Sequence, residues 1–459
     1  MLYLIRICLV ATLGGLLFGY DTAVISGTVD FIQARFALSE LALGWVVSSA
    51  ILGCMLGAAV SGVVCDRFGR KRAFLIAAVC FLISAIGTAL PSTTSVLVLF
   101  RLLGGIGVGI ASITSPMYIA EVAPERIRGR LVSLNQIAIL TGMVIVYIVN
   151  ARIAGYGTPE WNVAYGWRWM FGSGAAPALV FLIAVLTIPE SPRWLVKSGR
   201  DDEALTVLQS IHDPTAAQRI LAEIREALNL ETGGWKEVFG PIYRPALVVG
   251  VMLAIIQHGT GINAVMYYAP RIFSHAGVAS AAAINHMVII SLVMVAFTLV
   301  GLAFVDKVGR KPLLLLSTAG MALSLFMLYS AYSGRAAGNF NERAVLWWIL
   351  AYVSTFSIAM GPIVWVLISE LFPNRVRGRC AGIAVFFMWS ASLAISQFFP
   401  FLLKRIDHGV FLIFGVLCVI SVVYILLFVP ETKGKTLDEI EHLWYDRAVK
   451  RGVATRAPQ

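Results

Sequence analysis

Twelve stretches of this chain, each about 20 residues long, are predominantly apolar, and each could carry a helix across roughly 30 Å of hydrocarbon. The approximate spans are 3–27, 40–64, 72–90, 95–119, 131–153, 168–188, 244–268, 281–305, 311–332, 343–370, 378–402 and 409–429. A water-soluble globule cannot bury twelve such segments. Only 13% of the 459 residues are Asp, Glu, Lys or Arg, against about 25% in an ordinary soluble domain. Disorder needs the opposite composition. The first span is too long for a signal-peptide core and has no basic leader, so it reads as a retained helix. The expected class is an all-α membrane protein with twelve transmembrane helices.

The formal net charge of +11 is explained by topology. With both termini in the cytoplasm, the loops, linker and tail on that side, with their flanking helix ends, hold 26 of the 36 Lys and Arg residues. Such an imbalance is the positive-inside pattern, and no nucleic-acid partner is needed. The expected location is the cell (inner) membrane, with the lipid bilayer as the main partner. Six cysteines lie within or at the ends of apolar spans without a C-x-x-C pair, so neither a disulfide framework nor a metal site is expected.

One polar interval, 189–243, separates the spans into two sets of six. Asp201, Asp202 and Glu203 favour the start of a short helix there, and Asp213-Pro214 forms an N-cap and N1 pair for a second. That second helix would set Ala217, Ile220, Leu221, Ile224, Ala227 and Leu228 on one apolar face. Around this interval the chain repeats itself. Asp66-Arg-Phe-Gly-Arg-Lys71 returns as Asp306-Lys-Val-Gly-Arg-Lys311, and Glu121 through Arg130 returns as Glu370 through Arg379. Pro189-Glu190-Ser191 is answered by Pro430-Glu431-Thr432. From Asp66 to Pro189 is 123 residues, and from Asp306 to Pro430 is 124. The expected organisation is two pseudo-symmetric six-helix bundles, 1–188 and 244–430, joined by a helical linker at 189–243 and followed by a cytoplasmic tail at 431–459. Duplicated bundles that rock about a central interface are a transporter architecture.

At these motifs the chain resembles the sugar porters of the major facilitator superfamily. The strings Gly14 through Asp21, Pro189-Glu-Ser-Pro-Arg-Trp194, Gln257 through Asn263, Tyr267-Tyr-Ala-Pro270, Gly361-Pro-Ile-Val-Trp365 and Pro430 through Lys435 carry the resemblance, beside the two Asp-loop motifs. It covers almost the whole chain and is strongest with the xylose-type proton symporters. It implies the major facilitator fold and transport of a monosaccharide by alternating access, with protons as coupling ion and no cofactor. A monomer is the expected functional unit.

Asp21 lies inside the first span, where a lone charge costs about 2.5–3.5 kcal/mol on the insertion scale. Arg101 in the fourth span is its candidate partner. The resemblance makes Asp21 the proton carrier and Arg101 its tuner; the alternative is a permanently ionised pair that locks two helices. The resemblance also assigns Gln136, Gln257, Asn263 and Trp365 to the sugar site. Phe18, Tyr268, Phe356 and Trp389 are expected to line it. An isolated Gln in a membrane helix otherwise reads as glue between helices. His258 stands where the family usually has a second Gln, either as a donor to a hydroxyl or as a second titrating group. Met143, Met294 and Met388 replace polar residues, so the substrate could be a pentose such as D-xylose, a hexose, a deoxy sugar or a polyol.

Asp66, Arg70, Glu121, Arg130, Glu190, Asp306, Arg310, Glu370, Arg379 and Glu431 lie near the cytoplasmic helix ends. The resemblance makes them a conformational gate of ion pairs; a plainer reading is that they only fix topology and helix ends. Two rival functions remain at this stage. A proton-independent facilitator is disfavoured by Asp21, and a sugar sensor is disfavoured by the short tail. An enzyme is not expected, since no metal cluster, nucleophile elbow or phosphate loop is found.

Overall fold

A computed structural model describes residues 2–229, 235–278, 280–333, 342–373, 375–435 and 437–450. Parts of the expected linker (230–234) and tail (436, 451–459) lie outside the described residues. Every regular element among the described residues is helical. By length and composition, twelve helices or short helix series can cross a bilayer, which is the number the apolar segments predict. Contacts divide the chain into two compact units, Met1–Leu230 and Glu231–Gln459.

The first unit runs α1 (Leu2–Val24), α2 (Val29–Phe36), α3 (Glu40–Phe68), α4 (Arg70–Ala89), α5 (Thr94–Val122) and α6 (Glu125–Tyr156). Its sixth span is assembled from α7 (Pro159–Trp161), a π-helical turn at Asn162–Gly166, α8 (Trp167–Gly172) and α9 (Ala175–Leu186). This span begins nine residues earlier than hydropathy suggests. Thr158 accepts the Trp161 N–H at 3.3 Å with Pro159 at the first helical position, so a local cap starts the helix before the apolar run does. Glycines set the closest helix contacts. A Cβ on Gly53 or Gly57 of α3 would run into the backbone of α5, and one on Gly19 of α1 into the Ile139 carbonyl of α6. Packing of this kind brings α1 and α5, which carry Asp21 and Arg101, into one bundle.

Between the spans and the second unit lie α10 (Pro192–Lys197), α11 (Asp201–Gln209) and α12 (Pro214–Asn229). Asp213 caps α12, accepting the Ala216 N–H at 2.9 Å and the Thr215 hydroxyl at 2.6 Å. These two bonds, Thr215 first, hold its carboxyl below the usual range. Leu195, Ala204, Leu208, Ala217 and Leu221 form a small buried core, with Ile220 and Ile224 against it. The apolar face read from the sequence is used as far as Ile224, while Ala227 is exposed.

The second unit runs α13 (Trp235–Val238), then α14 (Arg244–Gly259) and α15 (Ile262–His275) as one broken span. It continues through α16 (Ser280–Val308) and α17 (Arg310–Ser333). A second broken span joins α18 (Glu342–Thr355), a π-helical turn at Phe356–Met360 and α19 (Gly361–Glu370). The chain then passes through α20 (Arg377–Ile406), α21 (Gly409–Phe428) and α22 (Leu437–Lys450). The helix α22 lies within the expected tail and packs back on the unit: Trp444 is fully buried and donates to the Leu371 carbonyl at 3.0 Å. Tyr243 donates to Glu441 at 2.7 Å; burial and this carboxylate push its phenol well up.

Candidate functional site

Three groups of polar residues stand out: one inside unit one, one inside unit two, and one that occurs once in each unit. The first is the charge in the interior of unit one. Asp21 sits on α1 with its Oδ2 3.6 Å from Arg101 Nη1 of α5. The guanidinium donates to the Asp21 backbone carbonyl at 3.2 Å rather than to the carboxylate. It also lies 5.6 Å from the centre of the Phe171 ring. Arg101 is 2% exposed, and both its Nε and Asp21 Oδ2 are buried without a hydrogen-bond partner. A small cavity beside the carboxyl is lined by Tyr20, Phe81, Thr88, Phe171 and Gly174. A Cβ at Gly104 would run into the Ser84 side chain first and stand 3.2 Å from Asp21 Oδ1. The pair is therefore held by proximity and by a backbone carbonyl, not by a two-pronged clamp.

The second group surrounds the two helix breaks of unit two. Gln257, on the last turn of α14, donates from Nε2 to the carbonyls of Met360 and Gly361 at 3.1 and 2.9 Å. Those carbonyls lie where the π-helical turn meets α19. Pro362, second in α19, has no N–H to donate, so the backbone pattern is already interrupted there. At the other break Gly261 adopts φ +92°, a left-handed conformation that suits glycine. The Thr260 carbonyl beside it is taken by the Tyr352 hydroxyl at 3.0 Å. The break directs Asn263 at His258: Asn263 Nδ2 lies 2.8 Å from His258 Nδ1 and 2.5 Å from Ser392 Oγ. The His258 ring stacks on Trp389 at 6.0 Å.

Gln257, His258, Asn263 and Trp389 are thus brought together with Ser392, which the sequence reading missed. The other candidates are placed differently. Tyr268 is fully buried, bonds the Ser396 carbonyl at 2.9 Å and packs on Phe399. Phe356 is buried in the π-helical turn, while Trp365 on α19 is 38% exposed. In unit one, Phe18 and Gln136 are partly buried on α1 and α6. Met294 and Met388 are buried, Met388 completely.

The third group is the pair of motif loops. In unit one, Arg70 grips Glu121 with two bonds, Nε to Oε2 at 2.9 Å and Nη2 to Oε1 at 2.7 Å. It also reaches Asp66 at 3.8 Å. Glu190 caps the start of α4, accepting the N–H of Arg70 at 2.8 Å and of Lys71 at 3.2 Å, and the Ser191 hydroxyl donates to Glu121 at 2.5 Å. Unit two repeats each part. Arg310 meets Glu370 and Asp306 at 3.0 Å each. Glu431 accepts the N–H of Arg310 and Lys311 at 3.0 Å each, and the Thr432 hydroxyl donates to Glu370 at 2.6 Å. Burial works against the Glu431 carboxylate, but the backbone N–H groups of Lys433, Arg310, Lys311 and Thr432 outweigh it and hold its pKa below the usual 4.5. Gly69 and Gly309, at φ +92° and +106°, make the one-residue turns that allow this cap, and a Cβ on either would crowd the capping glutamate. Arg130 is exposed with no ion pair among the described residues, and Arg379 lies over the Trp235 ring at 5.4 Å. The hydroxyls of Ser191 and Thr432 belong to this network at equivalent places in the repeat, a signal the sequence carried.

A family model described as sugar (and other) transporter matches residues 7–444. The chain belongs to the sugar transporter family. It is 43% identical to the D-xylose-proton symporter of Escherichia coli, with 96% of each chain covered. It is 40% identical to the arabinose-proton symporter of Bacillus subtilis, over 96% of this chain and 95% of that one. An inward-open structure of the E. coli xylose transporter superposes with a TM-score of 0.85 at 41% identity, covering 96% of this chain and all of the other. As a member of the sugar transporter family with twelve membrane-capable helices, the chain is an integral membrane protein and a transporter rather than an enzyme.

Proposed function

We propose that this protein imports a monosaccharide across the cytoplasmic membrane together with protons, by alternating access and with both termini inside. The observation that carries the coupling is Asp21, a carboxyl on an apolar helix with one oxygen unpartnered and its arginine 3.6 Å away. Such an acid is costly in a membrane unless it works. Protonated, it is neutral and leaves Arg101 to the Asp21 carbonyl; deprotonated, it draws the guanidinium. A proton moving inward gains about 2.3 kcal/mol per 100 mV of membrane potential, and a unit of pH gradient adds about 1.4 kcal/mol. That supports several-hundredfold accumulation at one proton per sugar. Gln257, His258, Asn263 and Trp365 are the proposed sugar ligands, with Trp389 as a stacking surface and Gln136 and Phe18 in the roles the resemblance gives them. A pentose such as D-xylose is the first choice of substrate and a hexose the second. The two motif-loop networks act as the gate, holding helix ends that must part when the inner side opens, and 189–243 serves as the linker.

Uptake of a radiolabelled panel (D-xylose, L-arabinose, D-glucose and a polyol) into proteoliposomes tests this. Inward-acid gradients should leave uptake at equilibration and outward-acid gradients should drive accumulation of at least one pentose or hexose. Accumulation that ignores the gradient would overturn the coupling, and transport of the polyol alone would overturn the substrate class.

A further inference from the structure

A sugar hydroxyl can be recognised through its hydrogen or through its lone pairs, and the geometry around Asn263 selects between the two. The side-chain amide of Asn263 has two N–H donors and one carbonyl acceptor. Its Nδ2 is engaged with His258 Nδ1 at 2.8 Å and Ser392 Oγ at 2.5 Å. For Nδ1 to accept, the neutral imidazole must carry its proton on Nε2. The ring is held in that plane by stacking on Trp389, at 22° between planes. Both donors of Asn263 are then spent, and Oδ1 is the atom left for a ligand. Gln257 shows the same division. Its Nε2 is spent on the Met360 and Gly361 carbonyls, and its Oε1 is buried without a partner.

We infer that His258 positions its neighbour: it fixes Asn263 as a hydrogen-bond acceptor, so that the two amides, Asn263 and Gln257, read a sugar through the hydrogens of its hydroxyls. The inference rests on sugar binding at Gln257 and Asn263 as proposed above. A glutamine at 258 could donate or accept, and the Asn263 amide could then turn over; an imidazole with its proton on Nε2 allows one orientation only. The consequence is a specificity rule. A hydroxyl replaced by fluorine keeps its size and weak acceptor character but has no hydrogen to give. It would leave an amide oxygen unpaired and facing a C–F dipole of the same sign.

The test has two arms, both on the full chain in lipid nanodiscs. In the first, histidine is labelled with ¹⁵N and no sugar is added. Gln257-His258 is the one Gln-His step in the sequence, so backbone ¹³C-Gln labelling assigns the residue without a variant. The expected spectrum shows a protonated Nε2 and a bare Nδ1; a proton on Nδ1 overturns the inference. In the second arm, calorimetry measures D-xylose and its 2-, 3- and 4-deoxyfluoro analogues (or the D-glucose series) on wild type and His258→Gln. At least one fluorinated analogue should bind wild type about tenfold more weakly than the parent sugar and the variant within about threefold. Equal losses in both proteins overturn the inference. Failure of every sugar to bind would count against the transport reading, and the imidazole spectrum would still decide the role of His258.

Discussion

At the motif loops the two units are near copies, down to the hydroxyl that follows each capping glutamate: Ser191 donates to Glu121 and Thr432 to Glu370. In their interiors they diverge. Unit one keeps a charged pair, Asp21 and Arg101, with unpartnered atoms on both sides. Unit two keeps amides, an imidazole and an indole, with the amide donors of Gln257 and Asn263 engaged and their carbonyl oxygens left over. The parts that hold helix ends are alike in the two units, while the interiors carry different chemistry. A charge suits a proton and neutral hydrogen-bonding groups suit a sugar. The loops also differ in degree. Arg70 makes two bonds to Glu121, with side chains 7% and 9% exposed, whereas Arg310 makes one to Glu370, at 13% and 24%.

The largest effect that would sharpen this division is at Gln257. Gln257→Ala removes an acceptor from the sugar and a donor from two buried carbonyls, so sugar affinity should fall about 10- to 100-fold. Proton release from Asp21 should be untouched, and calorimetry beside an infrared carboxyl difference spectrum separates the two. Loss of the carboxyl signal as well would break the division.

Next comes the contrast between loops. Arg70→Ala strands a buried Glu121 and should lower stability by about 3 kcal/mol, while Arg310→Ala should cost roughly half as much. Thermal unfolding in detergent compares them; equal losses would mean that the difference in burial carries no energy. The smallest effect concerns Glu431. Its folded pKa lies below the unfolded value of 4.5, so its cap stabilises the fold above that pH and is lost as pH falls through the depressed value. Wild type should therefore lose more stability than Glu431→Gln on acidification from pH 6 to 4, by a few degrees or less in Tm.

Much of this was legible in the sequence. Twelve apolar runs fix the spans, and the repeated Asp, Glu and Pro-Glu motifs name both networks, because helix ends are built from local chemistry at fixed spacing. Asp21 and Arg101 could be paired because few charges lie within the apolar spans. The helix breaks were harder. Gly361-Pro362 signalled an interruption, but not that Gln257, about a hundred residues earlier, would cap the carbonyls beside it. Ser392 had no signal, since a serine on an apolar helix reads as filler until Asn263 is seen beside it. The packing of α22 was also hidden. Its burial depends on Trp444 finding the Leu371 carbonyl, a contact between distant segments that local pattern does not encode.

The most direct test of the central claim is proton movement itself. Sugar added to proteoliposomes, without any imposed gradient, should alkalinise a weakly buffered bath in step with uptake for wild type. With Asp21→Asn it should give no pH change, although sugar still exchanges across the membrane. Uptake by wild type at constant external pH, or an unchanged signal in the variant, would contradict the account.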